Sequence, residues 1–494
     1  MVLGDLIKSI PYLRVEHPYE DYPIDGISVD SREKQVNGLF VALSGFKSNG
    51  IDFIKDAVSN GAIVVAKQGA QRDIGEYTIP LSVAVLDVAD PKQFLRQAAR
   101  IFYENPSSVV SVIGVTGTNG KTTITYLLES IIHAAAKQCG VLGTVNYRIG
   151  KEIIPSKNTT PGFLDVQRFL CRLSKEPVNY CLMETSSHAL DQGRVDGIDF
   201  AAGIFTNLTQ DHLDYHKDME AYFQAKSLLF TRLTPQACAV INTDDDYGKR
   251  LAKISKGRVI SFGIDGHAGV SAENIEYGLG GTIGDIVFPN GRIKIDTALV
   301  GKHNVYNMLA AAACAWGLGI PAADIARGIE ELKYVPGRLE AVSGKQDFFV
   351  FIDYAHTEDG LVNVLNALRT VSREKIIVVF GCGGDRDRTK RPKMGRAVCE
   401  GADFSIVTSD NPRSEDPRAI INEILSGFNK DNYEMCLDRR EAILKALHMA
   451  RKGNIVLLAG KGHEDYQILK DKTIAFNERH IVEEYLKCLP LTKS

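Results

Sequence analysis

Short runs of apolar, often β-branched residues recur along the chain. Each ends in a cluster of glycines and polar residues before a stretch of helical periodicity. Residues 109–115 lead into a Gly-rich loop, and the pattern beyond predicts a helix over about 122–135. The runs 180–183, 201–205 and 239–242 follow, and 376–380, 404–408 and 455–459 repeat the theme later. Strands alternating with helices predict βαβ units and mostly parallel sheets, an α/β fold. Ligands in such sheets sit beyond the carboxyl ends of the strands, where this chain keeps its polar clusters.

At roughly 100–200 residues per domain, a chain of 494 residues predicts about three domains. Shorter strands up to an acidic turn at Asp87–Asp90, and the segment Tyr334-Val335-Pro336-Gly337-Arg338, place them at 1–90, 91–336 and 337–494. The longest uncharged stretch, 305–323, contains Asn307, glycines and a proline, and reads as a buried helix followed by a turn. Apolar residues make up 44% and charged residues 24%, enough apolar surface to fill several cores. The formal net charge of −3 argues against a whole-protein nucleic-acid or anionic-membrane binder. Nine scattered cysteines without a CxxC pair fit reduced thiols in a cytoplasmic protein better than a disulfide framework. The start, Met1-Val2-Leu3-Gly4-Asp5, shows no signal-peptide pattern, so none is expected.

The strongest local motif is Thr116-Gly117-Thr118-Asn119-Gly120-Lys121-Thr122-Thr123, between a predicted strand and a predicted helix. Glycines let backbone N–H groups converge on phosphate oxygens, and the helix N-terminus adds a positive dipole. Lys121 can reach β/γ-phosphates and the Thr122 hydroxyl can ligate Mg²⁺. The motif departs from the general P-loop pattern, which places a glycine where Val115 stands. A Mg²⁺-nucleotide needs carboxylates nearby. Glu184 closes one apolar run, and Asn207-Leu208-Thr209-Gln210-Asp211-His212-Leu213-Asp214-Tyr215-His216 follows another. The plainer alternative for the second cluster is a solvated loop capped by Asp211.

Taken together these residues resemble the Mur ligase family, ATP-dependent amide-forming ligases of peptidoglycan precursor assembly. The pieces are TGTNGKTT (116–123), NTTP (158–161), METSSHAL (183–190), NLTQDHLDYH (207–216), AKSLLF (225–230), GKHNVYNMLAA (301–311), PGRLE (336–340), DYAH (353–356), GCGGDRD (381–387), SDNPRSEDPR (409–418) and AGKGHEDYQ (459–467). With DSR (30–32) and GLFVALSG (38–45) they cover nearly the whole chain in family order. The resemblance implies an N-terminal UDP-binding domain, a central P-loop ATPase and a C-terminal Rossmann-like domain, working as a monomer. It implies that the D-Glu carboxylate of UDP-N-acetylmuramoyl-L-alanyl-D-glutamate takes the γ-phosphate of ATP, and that an amine then displaces phosphate from the acyl phosphate. Lys121, Glu184, His212 and Lys226 are the implied catalytic set. Thr122, Glu184, His212 and a CO₂-derived carbamate on Lys226 are the implied Mg²⁺ ligands; without the resemblance, Lys226 reads as an exposed helical lysine. ATP is implied to contact Gly117, Thr118, Asn119, Gly120, Lys121, Thr122, Thr123, Asn304, Asn307, Arg338 and Asp353, with His356 nearby. Asn304 and Asn307 share one helix face by spacing. The UDP-linked dipeptide is assigned to Ser31, Asn158, Thr159, Thr160, Ser186, Gln192 and Arg194; a guanidinium also suits the D-Glu carboxylate on chemical grounds. The segment 45–51 departs from the family's usual Asp-Gly-His ending, having Asn49-Gly50-Ile51.

The amino acid added is read from Asp410-Asn411-Pro412-Arg413, which resembles the signature of the meso-diaminopimelate-adding members. That substrate is a lysine with a second carboxylate at its far end. Arg413, with Arg386, can pair with it, while Gly460 and Glu464 match positions that take the distal ammonium. Lysine would leave a buried guanidinium unpaired, and sites built this way reject such an analogue by on the order of 10⁴-fold. The alternative is the same ligation with L-lysine. A dehydrogenase fails because Arg386 stands at the third glycine position of a dinucleotide fingerprint. A folate-polyglutamating sister enzyme lacks the UDP-type N-terminal region. A non-catalytic nucleotide-binding module is argued against by Glu184, His212 and Lys226 standing together.

Overall fold

The computed structural model describes residues 1–10, 14–15, 19–45, 48–265 and 267–488. Three large sheets follow one another along the chain. In the first, Ala84–Asp87, Ala62–Lys67, Gly38–Val41 and Gly26–Ser28 lie side by side and parallel, with Arg14–Val15 antiparallel at one edge. The helix Pro91–Phe102, capped by Asp90, packs Phe94, Leu95, Ala98 and Ala99 into the core of this sheet.

The second sheet has eleven strands. Its parallel heart runs Cys139–Leu142, Tyr180–Glu184, Ser111–Thr116, Phe200–Phe205, Cys238–Asn242, Arg258–Gly263 and Val270–Gly278. Antiparallel ribbons extend both ends: Asn146–Ile149 with Glu152–Pro155, and Val270–Gly278 with Gly281–Phe288 and Gly291–Thr297. The helix Lys121–Ala134 is laid on this sheet by Ile124, Leu127, Leu128, Ile131 and Ile132, an i, i+3, i+4, i+7, i+8 stripe that is fully buried. Lys302–Gly317 packs on the same face, and its run of alanines lets it approach closely. The uncharged stretch at 305–323 is thus a buried helix followed by a turn, with Pro321 opening the next helix, Ala322–Glu331.

The third sheet places Phe349–Asp353, Ile455–Ala459, Ile376–Phe380, Phe404–Val407 and Tyr433–Met435 in parallel order, with Glu340–Ala341 antiparallel at one edge. Ile455–Ala459 sits between strands earlier in sequence, so the loops after residues 353, 380, 407 and 459 converge at one sheet end. The predicted strands 376–380 and 455–459 match in full; 109–115 shifts to Ser111–Thr116 because a 3₁₀ turn at Pro106–Ser108 leads into it. Among the described residues no helix is long and apolar enough to cross a membrane.

Candidate active site

The strand Ser111–Thr116 lies between Tyr180–Glu184 and Phe200–Phe205, so the loops leaving these strands share one edge. Gly117 and Gly120 both have positive φ. A Cβ on Gly117 would stand 1.8 Å from Thr206 Oγ1, and one on Gly120 would stand 2.4 Å from Asn307 Oδ1. Only glycine lets the loop turn this tightly against its neighbours. Lys121 folds back over the loop, its Nζ donating to the carbonyls of Gly117 at 2.9 Å and Thr118 at 2.8 Å. Thr118 meets the next loop, accepting from Thr209 N at 3.0 Å, and Asn119 N donates to Asn207 Oδ1 at 3.0 Å. Thr123 is buried within the first helical turn.

Glu184 is buried at the end of its strand and tightly held. Thr122 Oγ1 donates to its Oε2 at 3.1 Å; Thr144 donates through N to Oε1 and through Oγ1 to Oε2, both at 2.9 Å. A hydroxyl and a carboxylate oxygen thus converge beside the phosphate loop, an oxygen donor pair suited to Mg²⁺. Lys226 is almost wholly buried, donates to Gly117 O at 2.9 Å, and lies over the Tyr222 ring at 4.5 Å. Burial, then the neighbouring Lys121 ammonium, pushes the Lys226 pKa well below the usual lysine value. An ammonium cannot ligate a cation, so Lys226 fits a metal role only after its charge is reversed. His212 packs edge-on against His188 at 4.9 Å, with Asp211 Oδ2 3.4 Å from its Nε2. His188 also stands 5.4 Å from His216, whose Nε2 is 2.9 Å from Ser187 Oγ. Burial lowers the pKa of all three rings, which favours the neutral imidazole a ligand needs.

Of the residues assigned to the nucleotide-linked peptide, Thr160, Ser186 and Thr159 lie beside Glu184, and Ser31 lies apart on the first sheet. Thr160 Oγ1 donates to Glu184 O at 2.7 Å, and Ser186 N donates to Thr160 Oγ1 at 3.0 Å. Thr159 Oγ1 lies 3.0 Å from Thr144 Oγ1, and the Asn158 carbonyl accepts from Tyr147 at 2.6 Å. Arg194 donates to Thr160 O at 2.9 Å and grips Gln192 Oε1 through Nε at 2.9 Å. Ser31 belongs to the first sheet's loops, where its carbonyl accepts from Asn60; that region is tied by Arg168, on the helix Phe163–Leu173 packed against the second sheet, which donates to Ile27 O at 2.7 Å and to Glu33 at 3.1 Å. Of the segment 45–51, Phe46 and Lys47 lie outside the described residues.

Asn304 is bonded inward, to Val300 O at 2.9 Å, while Asn307 bonds Asn304 Oδ1 at 3.0 Å and faces Gly120. Arg338 reaches from the third part of the chain to Thr122 Oγ1 at 3.4 Å, and its guanidinium lies 5.3 Å from the Tyr354 ring. Asp353 accepts from Leu339 N at 2.7 Å and Ala355 N at 2.8 Å. Burial raises its pKa. His356 is exposed, its Nδ1 2.7 Å from Tyr354 O.

A second cluster forms where the third sheet's loops converge. Arg413 donates to Gly384 O at 2.8 Å, Arg386 to its neighbour Asp385 O at 3.1 Å, and Gly384 N to Asn411 O at 2.9 Å. Pro412 closes the turn: a Cβ on Gly384 would stand 1.9 Å from its carbonyl oxygen. Asn411 Nδ2 donates to Glu464 Oε2 at 2.8 Å. Gly460 has φ 112°, and a Cβ there would stand 3.0 Å from Asp410 Oδ2. Arg386, Asp410, Asn411, Pro412, Arg413, Gly460 and Glu464 therefore line one end of one sheet.

Three stretches match Mur ligase family models: 23–103 the catalytic domain, 115–315 the middle domain and 337–462 the glutamate ligase domain. A protein of Clostridium botulinum (strain ATCC 19397 / Type A) named UDP-N-acetylmuramoyl-L-alanyl-D-glutamate–2,6-diaminopimelate ligase is 41% identical over 489 residues, 99% of this chain and 100% of its own length. The chain belongs to the Mur ligase family. A Mur ligase of the same name from Halalkalibacterium halodurans is 44% identical over 467 residues, 94% of either chain. A solved structure of a protein of that name superposes with a TM-score of 0.72 at 31% identity, covering 99% of both chains.

In this Mur ligase the structure adds site residues that the sequence reading passed over. Thr144 gives Glu184 two of its hydrogen bonds from a loop with no motif signature. Lys461 is fully buried and donates to both Asn411 Oδ1 at 3.2 Å and Glu464 Oε2 at 3.1 Å. It stands inside the quoted segment 459–467, so its neighbours Gly460 and Glu464 were the signal. Tyr222 sits one helical turn before Lys226, and His188 two residues after Ser186, with ring contacts that sequence spacing does not reveal.

Proposed function

We propose that this Mur ligase joins meso-2,6-diaminopimelate to UDP-N-acetylmuramoyl-L-alanyl-D-glutamate at the expense of ATP. The observation that carries the reading is that Arg413, Asn411 and Glu464 meet at one sheet end, with the exposed Arg386 on the neighbouring loop beside Gly383. Two guanidiniums beside one carboxylate suit a zwitterionic terminus with its own carboxylate and ammonium. The names of the relatives, which match over nearly the full chain, support the same reading.

The residues divide the work. Gly117–Gly120 cradle the ATP phosphates, Lys121 swings from the loop carbonyls onto them, and Thr123 supports the helix turn beneath. Asn304, Asn307, Arg338 and Asp353 face the nucleotide. Ser31, Asn158, Thr159, Thr160, Ser186, Gln192 and Arg194 hold the UDP-linked dipeptide and bring its D-Glu carboxylate toward the γ-phosphate. Transfer between two anions demands positioning and positive charge more than covalent help from the protein. Thr122 and Glu184 would hold Mg²⁺, with His212 and carboxylated Lys226 holding a second, and the ions would neutralise charge on the transferring phosphoryl group. The depressed pKa of Lys226 supports the carbamate, because only a neutral amine attacks CO₂. The incoming amine then meets the acyl phosphate, held by Arg386, Asp410, Asn411, Pro412, Arg413, Gly460 and Glu464. The three sheets are assigned to a UDP-binding domain, an ATPase domain (to 336) and an amino-acid-binding domain (337–494), acting as a monomer; the first takes in the helix Pro91–Phe102, which packs on its sheet, so it runs past the expected boundary at residue 90 to about residue 103.

Mass analysis after incubation with ATP, Mg²⁺, bicarbonate, the UDP-linked dipeptide and meso-diaminopimelate tests the proposal. The expected product carries one diaminopimelate residue in amide linkage. Unmodified dipeptide with intact ATP would overturn it.

A further inference from the structure

Behind Arg386 and Arg413 lies an ion pair to which no role has been given. Arg391 lies in the first turn of the helix Lys390–Gly401 and is almost wholly buried. Its guanidinium grips Glu415 with both nitrogens, Nη2 to Oε1 at 2.7 Å and Nη1 to Oε2 at 2.9 Å. Nη1 also donates to Glu423 at 2.8 Å and Nη2 to Gly383 O at 3.2 Å. Glu415 passes the constraint on, because its Oε1 accepts from Asp385 N at 2.6 Å. Asp385 immediately precedes Arg386, and Glu415 stands two residues beyond Arg413. One carboxylate thus ties the loop carrying the first guanidinium to the loop carrying the second. Ser414 adds a stitch, its hydroxyl donating to Asp385 Oδ1 at 2.6 Å. Asp385 and Arg413 both hold left-handed backbone conformations, with φ of 53° and 52°. Non-glycine residues keep such conformations only where the surroundings over-determine them.

We infer that Arg391 and Glu415 are positioning residues that fix the spacing of Arg386 and Arg413, and through it the selection of an amino acid with a distal carboxylate. The inference rests on the diaminopimelate reading above. A bidentate guanidinium–carboxylate pair sets both distance and orientation. An ammonium at the same place would keep the charge and lose the planar fork. Misplacement of a reacting group by about 1 Å can cost 10²-fold in rate, so a small slip between the two loops is enough to be read kinetically.

Arg391→Lys and Glu415→Gln in the full chain test it, assayed with ATP and the UDP-linked dipeptide against meso-diaminopimelate and L-lysine. The expected result is a rise in KM for meso-diaminopimelate of about 10- to 100-fold. The ratio of kcat/KM for meso-diaminopimelate over lysine falls with it, while the KM values for ATP and UDP-linked dipeptide stay at wild-type levels. A lowered Tm with an unchanged ratio, or equal loss toward all three substrates, would mean a merely structural pair and overturn the inference. If Arg391→Lys does not fold, the near-isosteric Glu415→Gln decides by the same ratio. Wild-type protein that ligates lysine and ignores meso-diaminopimelate would instead overturn the functional reading, and this inference with it, before any variant is compared.

Discussion

Arg338 and Thr122 are 216 residues apart in sequence, yet Arg338 Nη2 donates to Thr122 Oγ1 at 3.4 Å. The bond joins the start of the third part of the chain to the first turn of the phosphate-loop helix. A cation beside the hydroxyl assigned to Mg²⁺ is placed to stabilise charge on a transferring phosphoryl group. Arg338→Ala is expected to lower kcat by roughly 10²-fold, with the UDP-linked dipeptide still bound. Steady-state kinetics check this, and an unchanged kcat would contradict it.

Lys226 carries the second prediction. Its ammonium would sit buried, near Lys121 and without a carboxylate bonded to it among the described residues. Carboxylation turns that unfavourable cation into an anion beside His212. Intact-mass measurement in bicarbonate buffer is expected to show a species heavier by one CO₂, absent from Lys226→Met. That variant is expected to lose turnover by roughly 10²-fold or more while keeping its fold. Wild-type activity in Lys226→Met would contradict the assignment.

Arg413→Ala is expected to cut use of meso-diaminopimelate by as much as about 10⁴-fold, the scale on which sites with dedicated charged partners discriminate. Affinity for the UDP-linked dipeptide stays near wild type, because its assigned residues lie on the other sheets. Calorimetry on both ligands separates the two effects; equal weakening would point to a general collapse of the loop.

The pair behind that site predicts a pH dependence of stability. Hydrogen bonding to Arg391 holds the Glu415 carboxyl at about 2, against an ordinary 4.5. A group whose pKa is lower folded than unfolded contributes stability above the unfolded value and loses it as pH falls through the folded one. The Tm difference between wild type and Glu415→Gln is therefore expected to be full above about pH 5.5 and to shrink from there toward pH 2. Thermal melts across that range check it; a difference independent of pH would contradict it.

The parallel strands were legible because fully buried strands read as continuous apolar runs, and those at 376–380 and 455–459 match residue for residue. The antiparallel ribbon Val270–Gly278, Gly281–Phe288 and Gly291–Thr297 was not read, since its residues are half exposed and lack such a run. Its Asn290-Gly291 turn was an available signal. Within the site, residues in contiguous motifs were legible. Thr144 and Arg391 act through contacts with segments distant in sequence, which no local pattern encodes; Lys461 and Glu415 fall inside motifs, but their partners Asn411 and Arg391 come from other segments. In the fold Glu415 is taken by Arg391, and Arg413 donates instead to Gly384 O.

The most direct test is phosphate release by the purified protein with ATP, Mg²⁺, bicarbonate and UDP-N-acetylmuramoyl-L-alanyl-D-glutamate, run in parallel with meso-diaminopimelate, with L-lysine and with no amino acid. Sustained release with meso-diaminopimelate alone is the predicted result. Release with lysine in its place would keep the ligase chemistry and contradict the roles of Arg386 and Arg413, and no release with either would contradict the account as a whole.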